Sequence, residues 1–306
     1  MKKLTIITGL ILIGIVIYIQ INKNELSYYY EVFKKYPKES EIITNEYTKD
    51  YDFAYVKTYN SYKLNNSSDI LNSVYTLLNN GNTNILRYCS IKYNDCLTNS
   101  YDIGSDQTIL SNINNFVHPY NSFSQISFKD DGFMNIEISN DKIYSDDLIK
   151  EINTKLDSIM NEIITEDMTD EKKIEAFHNY LIKNTEYDTT KANDLTDSTH
   201  SSNTAYGVLI EGYGICSGYS DAVAIFLNKL NIKNYKINNA EHVWNLVNLN
   251  DKWLHLDITW DLPKDLTPGS DGIRRDYFLI TTSRLKELND NSHSFDTTIY
   301  QEANNS

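Results

Sequence analysis

Basic residues are scarce in this chain: 28 Lys and Arg stand against 42 Asp and Glu, a net charge of −14. Partners with a nucleic-acid backbone demand basic stripes, so this balance argues against them. The catalogue of short motifs is thin as well. There is no D-x-[DN]-x-[DN]-G calcium loop, no H-E-x-x-H, no G-x-x-x-x-G-K-[ST] and no paired C-x-x-C. Their absence argues against zinc or nucleotide chemistry, and no metal or cofactor is implied. Internal repeats are missing, and the only bias is toward Asn, Ile, Lys and Tyr. What is present is a globular composition, 41% hydrophobic and 23% charged over 306 residues, enough for one large domain or two small ones.

Charge is also missing from residues 4–21, LTIITGLILIGIVIYIQI, which follow Met1-Lys2-Lys3. About 20 apolar residues cross a bilayer, and two preceding lysines favour a cytoplasmic N-terminus with the rest outside. A cleaved signal peptide would have a shorter apolar run ending in small residues. Here the run ends in Ile17, Tyr18 and Ile19, and no cysteine follows for a lipid anchor. The expectation is a single-pass anchor over residues 1–22 with an extracellular catalytic domain at the cell membrane. Secretion after signal cleavage is the alternative.

Cysteine is scarce too, with three in the chain. An exported chain can keep disulfides, and Cys89 and Cys96, in CSIKYNDC, could close a short loop. Cys216 is then left over, and an odd cysteine in an exported protein marks a reactive thiol. The bland alternative is three free cysteines, with Cys216 a small buried hydrophobe.

Periodicity divides the rest. Residues 23–48 are polar and tyrosine-rich, a juxtamembrane stalk. SSDILNSVYTLLNNG has a serine cap, apolar Ile70, Leu71, Val74, Leu77 and Leu78, and a closing Gly81, which predicts a helix. NILRYCSIKY alternates like a strand, and residues 123–139 read as a hairpin, so residues 49–144 form a small α+β unit. From Ser145 two helices follow. One carries the stripe Leu148, Ile152, Leu156, Ile159 and Ile163, the other Ile174, Phe177 and Leu181. His178 beside the second stripe reads as packing or surface, and His200, in the polar loop 188–203, as solvated.

Next comes AYGVLIEG and then GYGICSGYS, residues 212–220. The apolar spacing of Ala222, Val223, Ile225, Phe226 and Leu230 starts a helix near Cys216. Free N–H groups at a helix N-terminus carry partial positive charge and favour a thiolate. Gly212 and Gly214 allow a sharp turn, and Gly218 leaves room for a substrate main chain. The N–H groups at the helix start, that of Cys216 included, can receive an oxyanion.

A thiol nucleophile needs a base, and the base an orienting group. AEHVWNLVNLN and DKWLHLDITWD read as two strands joined at Asn250-Asp251. With an even-length loop, positions whose numbers sum to an odd value share a face, and His242 and Asp257 do. Asp257 then lies opposite Trp244 or opposite His242 according to the turn, within roughly 5 to 8 Å of His242 at the backbone. His255 shares the parity but lies farther along and reads as structural or rim. Asp261 could replace Asp257, but it lies at the strand end beside Pro263, where a turn explains it. Thiol at a helix start, histidine on a strand and aspartate on the next is the Cys-His-Asp order of thiol acyl transfer.

These residues resemble the transglutaminase-like superfamily in its bacterial branch, thiol enzymes with a papain-like core. The likeness rests on Gly-x-Cys-x-Gly-Tyr at Gly214–Tyr219, His-x-Trp-Asn at His242–Asn245 and Asp-x-Thr-Trp-Asp at Asp257–Asp261. DYFLI at 276–280 and the later His293 are similar to the end of such domains. The resemblance covers about residues 165–300. It implies an α+β fold: a papain-like transglutaminase core over 145–306, its Cys-bearing helix packed on an antiparallel sheet bearing His and Asp. That core is preceded by the small α+β domain and the transmembrane helix. It further implies Cys216 as nucleophile, His242 as base and acid, Asp257 as orienter and Tyr206 as an oxyanion donor. Trp244 and Trp260 stand for family cleft or core aromatics, core being the favoured role, and Trp244, Gly218 and Tyr219 are the cleft candidates. Ser217 and Ser220 depart from the small or acidic residues expected, and the stretch between helix and His242 is short. Calcium-ligand positions are not recognisable.

Such a site acts on an amide carbonyl of a peptide or protein. Resolution by water gives a peptidase or amidase of the cell envelope, the first expectation. Resolution by an amine gives a protein-glutamine gamma-glutamyltransferase that crosslinks. A surface binding or scaffold module with an idle triad is the third reading.

Overall fold

The computed structural model describes residues 18, 20, 43–132, 134–262, 273–288 and 291–304. The expected anchor, apart from residues 18 and 20, and residues 23–42 of the stalk lie outside the described residues. Among those described, no helix is long and apolar enough to cross a membrane.

The first unit is a four-stranded sheet with helices on it. β1 (Lys63–Leu64) pairs in parallel with β2 (Asn84–Cys89), and β3 (Phe123–Asp130) forms an antiparallel hairpin with β4 (Asn135–Lys142) in the order β1-β2-β4-β3. Helix α1 (Ser67–Asn79) brings Ile70, Val74, Leu77 and Leu78 into the core. Its cap is Asn66 rather than a serine, the side chain accepting from Asp69 N at 3.1 Å. It closes as the glycine predicts. Gly81 has φ +65° and donates to Leu78 O, while Asn82 N reaches Leu77 O, the paired bonds of a left-handed helix stop. Helices α2 (Cys96–Ser105) and α3 (Gln107–Asn114) complete the unit, and the disulfide Cys89–Cys96 ties the end of β2 to the start of α2.

The second unit opens with α4 (Asp146–Ile163) and α5 (Asp170–Asn184), capped by Ser145 and Thr169. After them β5 (Glu186–Tyr187) runs parallel to β6 (Tyr213–Gly214), with α6 (Thr189–Asn193) and a π-helical turn, Gly207–Glu211, between. Helix α7 (Cys216–Lys229) is buried from Gly218 to Leu227 without interruption, so it is the central helix rather than a surface one. Phe177 of α5 stacks on its Phe226 at 4.1 Å.

Three antiparallel strands follow α7, not the two that periodicity suggests: β7 (Asn234–Asn238), β8 (Val243–Leu249) and β9 (Lys252–Leu256), in that order. β7 escapes the pattern because both its faces are covered and its central residue is a lysine. Lys236 is buried against Asp221 of α7 at 2.7 Å, and the other oxygen of Asp221 accepts from Tyr144 at 2.7 Å. The β8–β9 turn sits where expected. Asn250 and Asp251 both have positive φ, at 52° and 61°, the backbone of a two-residue hairpin turn.

This sheet joins the units. Tyr235, Ile237, Trp244 and Leu246 pack into the core of the first unit, together with Tyr300 and Ala303 from the end of the chain. Val247, Leu249 and Leu256 pack with α4, α5 and α7.

Candidate active site

Cys216 opens α7. Its preceding residue Ile215 is extended, and the first bond inside the helix runs from Tyr219 N to Ile215 O, 3.1 Å. The N–H groups of Cys216, Ser217 and Gly218 therefore have no acceptor within the helix and point out of its positive end. The thiol is half-buried and outside the disulfide. The turn ahead of it depends on Gly212, left-handed at φ +78°.

The segment 188–204 is more ordered than a solvated loop. Asp188 accepts from Ser202 Oγ at 2.5 Å, and Lys191 binds the carbonyls of Leu195 and Asp197. His200 stacks on Tyr213 at 4.0 Å. The segment's end is pinned on both flanks of Cys216. Ile215 N donates to Ser202 O at 2.8 Å, and Ser217 Oγ to Asn203 O at 3.2 Å.

His242 stands one residue before β8, and Asp257 one residue after β9. The register pairs Asn245 with Leu256, which puts Asp257 opposite Trp244 and diagonal to His242. His242 Nε2 lies 2.5 Å from Asp257 Oδ2. Asp257 also caps α8 (Ile258–Asp261): its Oδ1 accepts from Thr259 N at 2.9 Å, Thr259 Oγ1 at 2.6 Å and Trp260 N at 3.4 Å. A second imidazole, His293, reaches the same Oδ2 at 2.8 Å.

Electrostatics follow from this crowding. Burial alone would lower the pKa of His242. The charge and hydrogen bond of Asp257, then the hydrogen bond and charge of Cys216, more than offset it and raise it to about 10. Burial likewise opposes ionisation of Asp257, but His242 and the hydrogen bonds from both imidazoles hold its carboxyl well below the usual range. Because the carboxylate is ionised it only accepts, so both Nε2 atoms donate to it. That leaves His242 Nδ1 for the sulfur. His242, Asp257 and His293 also offer one ligand atom each within 4.8 Å. Their 2.5 and 2.8 Å separations are hydrogen-bond lengths, and Oδ1 is already taken by Thr259 and Trp260.

Several other sequence-picked residues serve the core instead. The place where a side chain on Gly218 would sit is filled by the protein: an added Cβ would lie 2.3 Å from Ser202 O and 2.9 Å from Thr204 O. Tyr219 is buried, its hydroxyl on Thr185 O at 2.9 Å. Trp244 is buried too, stacked under His242 at 5.6 Å and donating from Nε1 to His255 Nδ1 at 3.1 Å. Tyr206 turns its hydroxyl toward Glu151 of α4 at 3.5 Å rather than toward the thiol. His255 is structural and not at a rim: burial, then His293, lowers its pKa to about 3, and it bonds Thr282 Oγ1 at 2.9 Å. Asp261 is no surface turn residue. It is buried, and meets the equally buried His178 at 3.0 Å.

Two further residues touch this site: Tyr187 beside the thiol and Thr259 on Asp257. Tyr187 of β5 is partly exposed, and its pKa is raised to about 12 by burial and then by the charges of Cys216 and Asp257. β5 pairs it with Gly214, two residues before the thiol, a contact across 27 residues that periodicity does not register. Thr259 had a local signal, since Asp-x-Thr before a short helix is a capping pattern.

A cavity of about 850 Å³ borders the opposite end of α7, among Lys49, His118, Asn228 and Lys233, and none of Cys216, His242 and Asp257 lines it.

An α+β core with its thiol at the start of a central helix and its histidine and aspartate at the open end of a hairpin defines the class. Residues 157–258 match the model of the transglutaminase-like superfamily, and this stretch, which contains all three residues, is a transglutaminase-like domain. A crystal structure of a TGase aligns with 49% of this chain at 17% identity and a TM-score of 0.35. The chain spans 47% of that protein's length. No curated protein matches.

Proposed function

We propose that this protein is a thiol acyl-transfer enzyme with Cys216, His242 and Asp257 as its triad, acting first as a peptidase or amidase. One observation carries the reading: His242 is bonded to Asp257 at 2.5 Å while the Cys216 thiol contributes to its raised basicity. A proton at His242 Nδ1, counterbalanced by Asp257, can leave the sulfur as thiolate beside it.

The thiolate of Cys216 attacks an amide carbonyl carbon, forming the C–S bond, and the π electrons move to oxygen. The N–H groups at the start of α7 receive that oxyanion. Collapse breaks the C–N bond, and the departing amine takes the proton of His242 Nδ1. Water then gives a proton to Nδ1 and attacks the thioester. The acid leaves, and the thiolate–imidazolium pair is restored. An amine in place of water would crosslink instead. With the apolar run at residues 4–21 as an anchor, the substrates are peptides or proteins of the cell envelope.

Stoichiometric alkylation of Cys216 by iodoacetamide near neutral pH is expected in the native chain and lost in His242→Ala. Labelling indifferent to His242 would leave an ordinary thiol and end the proposal. A glutamine peptide offered with a labelled amine separates the two outcomes: free acid means hydrolysis, and label on the peptide means transfer.

A further inference from the structure

Asp257 serves two imidazoles, and only one of them has a place in the proposed chemistry. The second, His293, is buried, and its Nε2 lies 2.8 Å from the oxygen that also binds His242. It is not a side chain that fell there by default. Three rings box it: Tyr277 stacked at 4.8 Å, Trp244 at 4.9 Å and Trp260 at 5.0 Å, the last two edge-on. A phenylalanine would fill such a box without bringing a polar atom into it. A buried imidazole is costly unless its polar atoms are bonded.

Orientation of Asp257 does not require His293. The Oδ1 side is already held by Thr259 N, Thr259 Oγ1 and Trp260 N. What His293 adds is a second donor on Oδ2, the atom that stabilises the His242 cation. A carboxylate oxygen shared by two donors gives less of its charge to each.

We propose that His293 is a positioning residue of this site, whose Nε2–H shares Asp257 Oδ2 with His242 and so limits how tightly the carboxylate holds the His242 proton. The inference rests on the thiol–imidazole reading above. Its consequence is kinetic. His242 must release its Nδ1 proton to the leaving amine, and an imidazolium held too tightly is a poor acid.

The titratable groups facing His242 are Cys216 from α7, Asp257 from the end of β9 and His293 from the 3-10 turn Asn291–His293. Those facing His293 are Asp257, His242, Tyr277 and His255.

The test is the pH profile of Cys216 alkylation by iodoacetamide in the full chain. The native protein should show two steps. In the lower one the thiolate–imidazolium pair forms. The upper one, near the value of about 10 that His242 carries, marks loss of the imidazolium proton. His293→Phe keeps the ring box filled but removes the donor, and moves the upper step to higher pH by about half a unit or more. His293→Gln restores a neutral N–H donor and returns the step toward its native position. A role in packing alone would lower thermal stability and leave the step in place. Should His293→Phe fail to fold, imidazole proton–nitrogen correlation spectra of the native protein decide. Protonated Nε2 on both His242 and His293 is expected, and an unprotonated Nε2 on His293 overturns the assignment.

The two failures are distinct. A single thiol step unaffected by His242→Ala removes the triad and His293 with it. Two native steps, neither moved by His293→Phe, leave the triad standing and overturn the role of His293 alone.

Discussion

His242 and Asp257 meet at the open end of the β8–β9 hairpin, Nε2 to Oδ2, at 2.5 Å. Neither residue lies inside a strand: one precedes β8, the other follows β9 and caps α8. The carboxylate is therefore held by helix N–H groups on one side while it holds the imidazole on the other.

Replacing Asp257 by Asn turns an amide NH₂ against donors whichever way it flips, because both oxygens now accept N–H bonds. The expected result is a fall in kcat of roughly 10²- to 10⁴-fold with intact folding, the range of wrong-tautomer defects in such triads. Without the carboxylate charge the upper pH limb, near 10 in the native protein, should move down toward that of ordinary histidine. Steady-state rates across pH check both.

Gly218→Ala tests the packing at the thiol. Its Cβ would lie 2.3 Å from Ser202 O, a backbone atom that cannot swing aside. A loss of about 1 to 3 kcal/mol is expected from overpacking. Because Ser202 also accepts from Ile215 N, activity should fall further than stability explains. Chemical denaturation and rates on the same samples separate the two.

Reducing the Cys89–Cys96 bridge, which spans a sequence separation of 7, should cost about 2 kcal/mol through the entropy of so short a loop. The bridge belongs to the first sheet, far along the chain from the thiol, so kcat should be unchanged in Cys89→Ser/Cys96→Ser. Denaturant melts of the variant and of the native chain measure the cost.

Lys49 is buried with its Nζ on Asn234 O at 2.5 Å, and burial, then Lys236, lowers its pKa from 10.5 to about 7. Between those two values the unfolded chain binds the proton and the folded one does not. Stability from this group therefore rises with pH across that window, and the full penalty is present below it. Lys49→Met should raise Tm at pH 6 by about 2 to 4 °C for each kcal/mol relieved, and the gain should vanish as pH approaches 10. Thermal melts at several pH values check the sign.

Much of the fold was legible in the chain. Stripes such as Ile152, Leu156 and Ile159 in α4 mark a helix face because burial follows the 3.6-residue period. The hairpin parity that joins His242 to Asp257 is equally local, since the turn at Asn250 and Asp251 sets the register of both strands. β7 was not legible: an edge strand covered on both faces, with Lys236 paired to Asp221 of another element, leaves no alternation to read.

Gly218, Tyr219 and Trp244 stand next to Cys216 and His242 in sequence, and all three are buried, Trp244 in the core role favoured for it, because a motif fixes neighbours along the chain and not which side of them faces water. Tyr206 met Glu151 for the same reason.

By itself, then, the sequence determined a thiol at a helix start, a hairpin whose parity joins histidine to aspartate, and an alternation of helices and strands. These depend on local backbone periods. Only the tertiary structure decided that the β7–β9 sheet packs residues into both cores, that Tyr187 approaches the thiol, and that His293 shares the oxygen of Asp257. Those contacts link residues 27 or more positions apart, where packing of whole elements rather than any local period sets the distance.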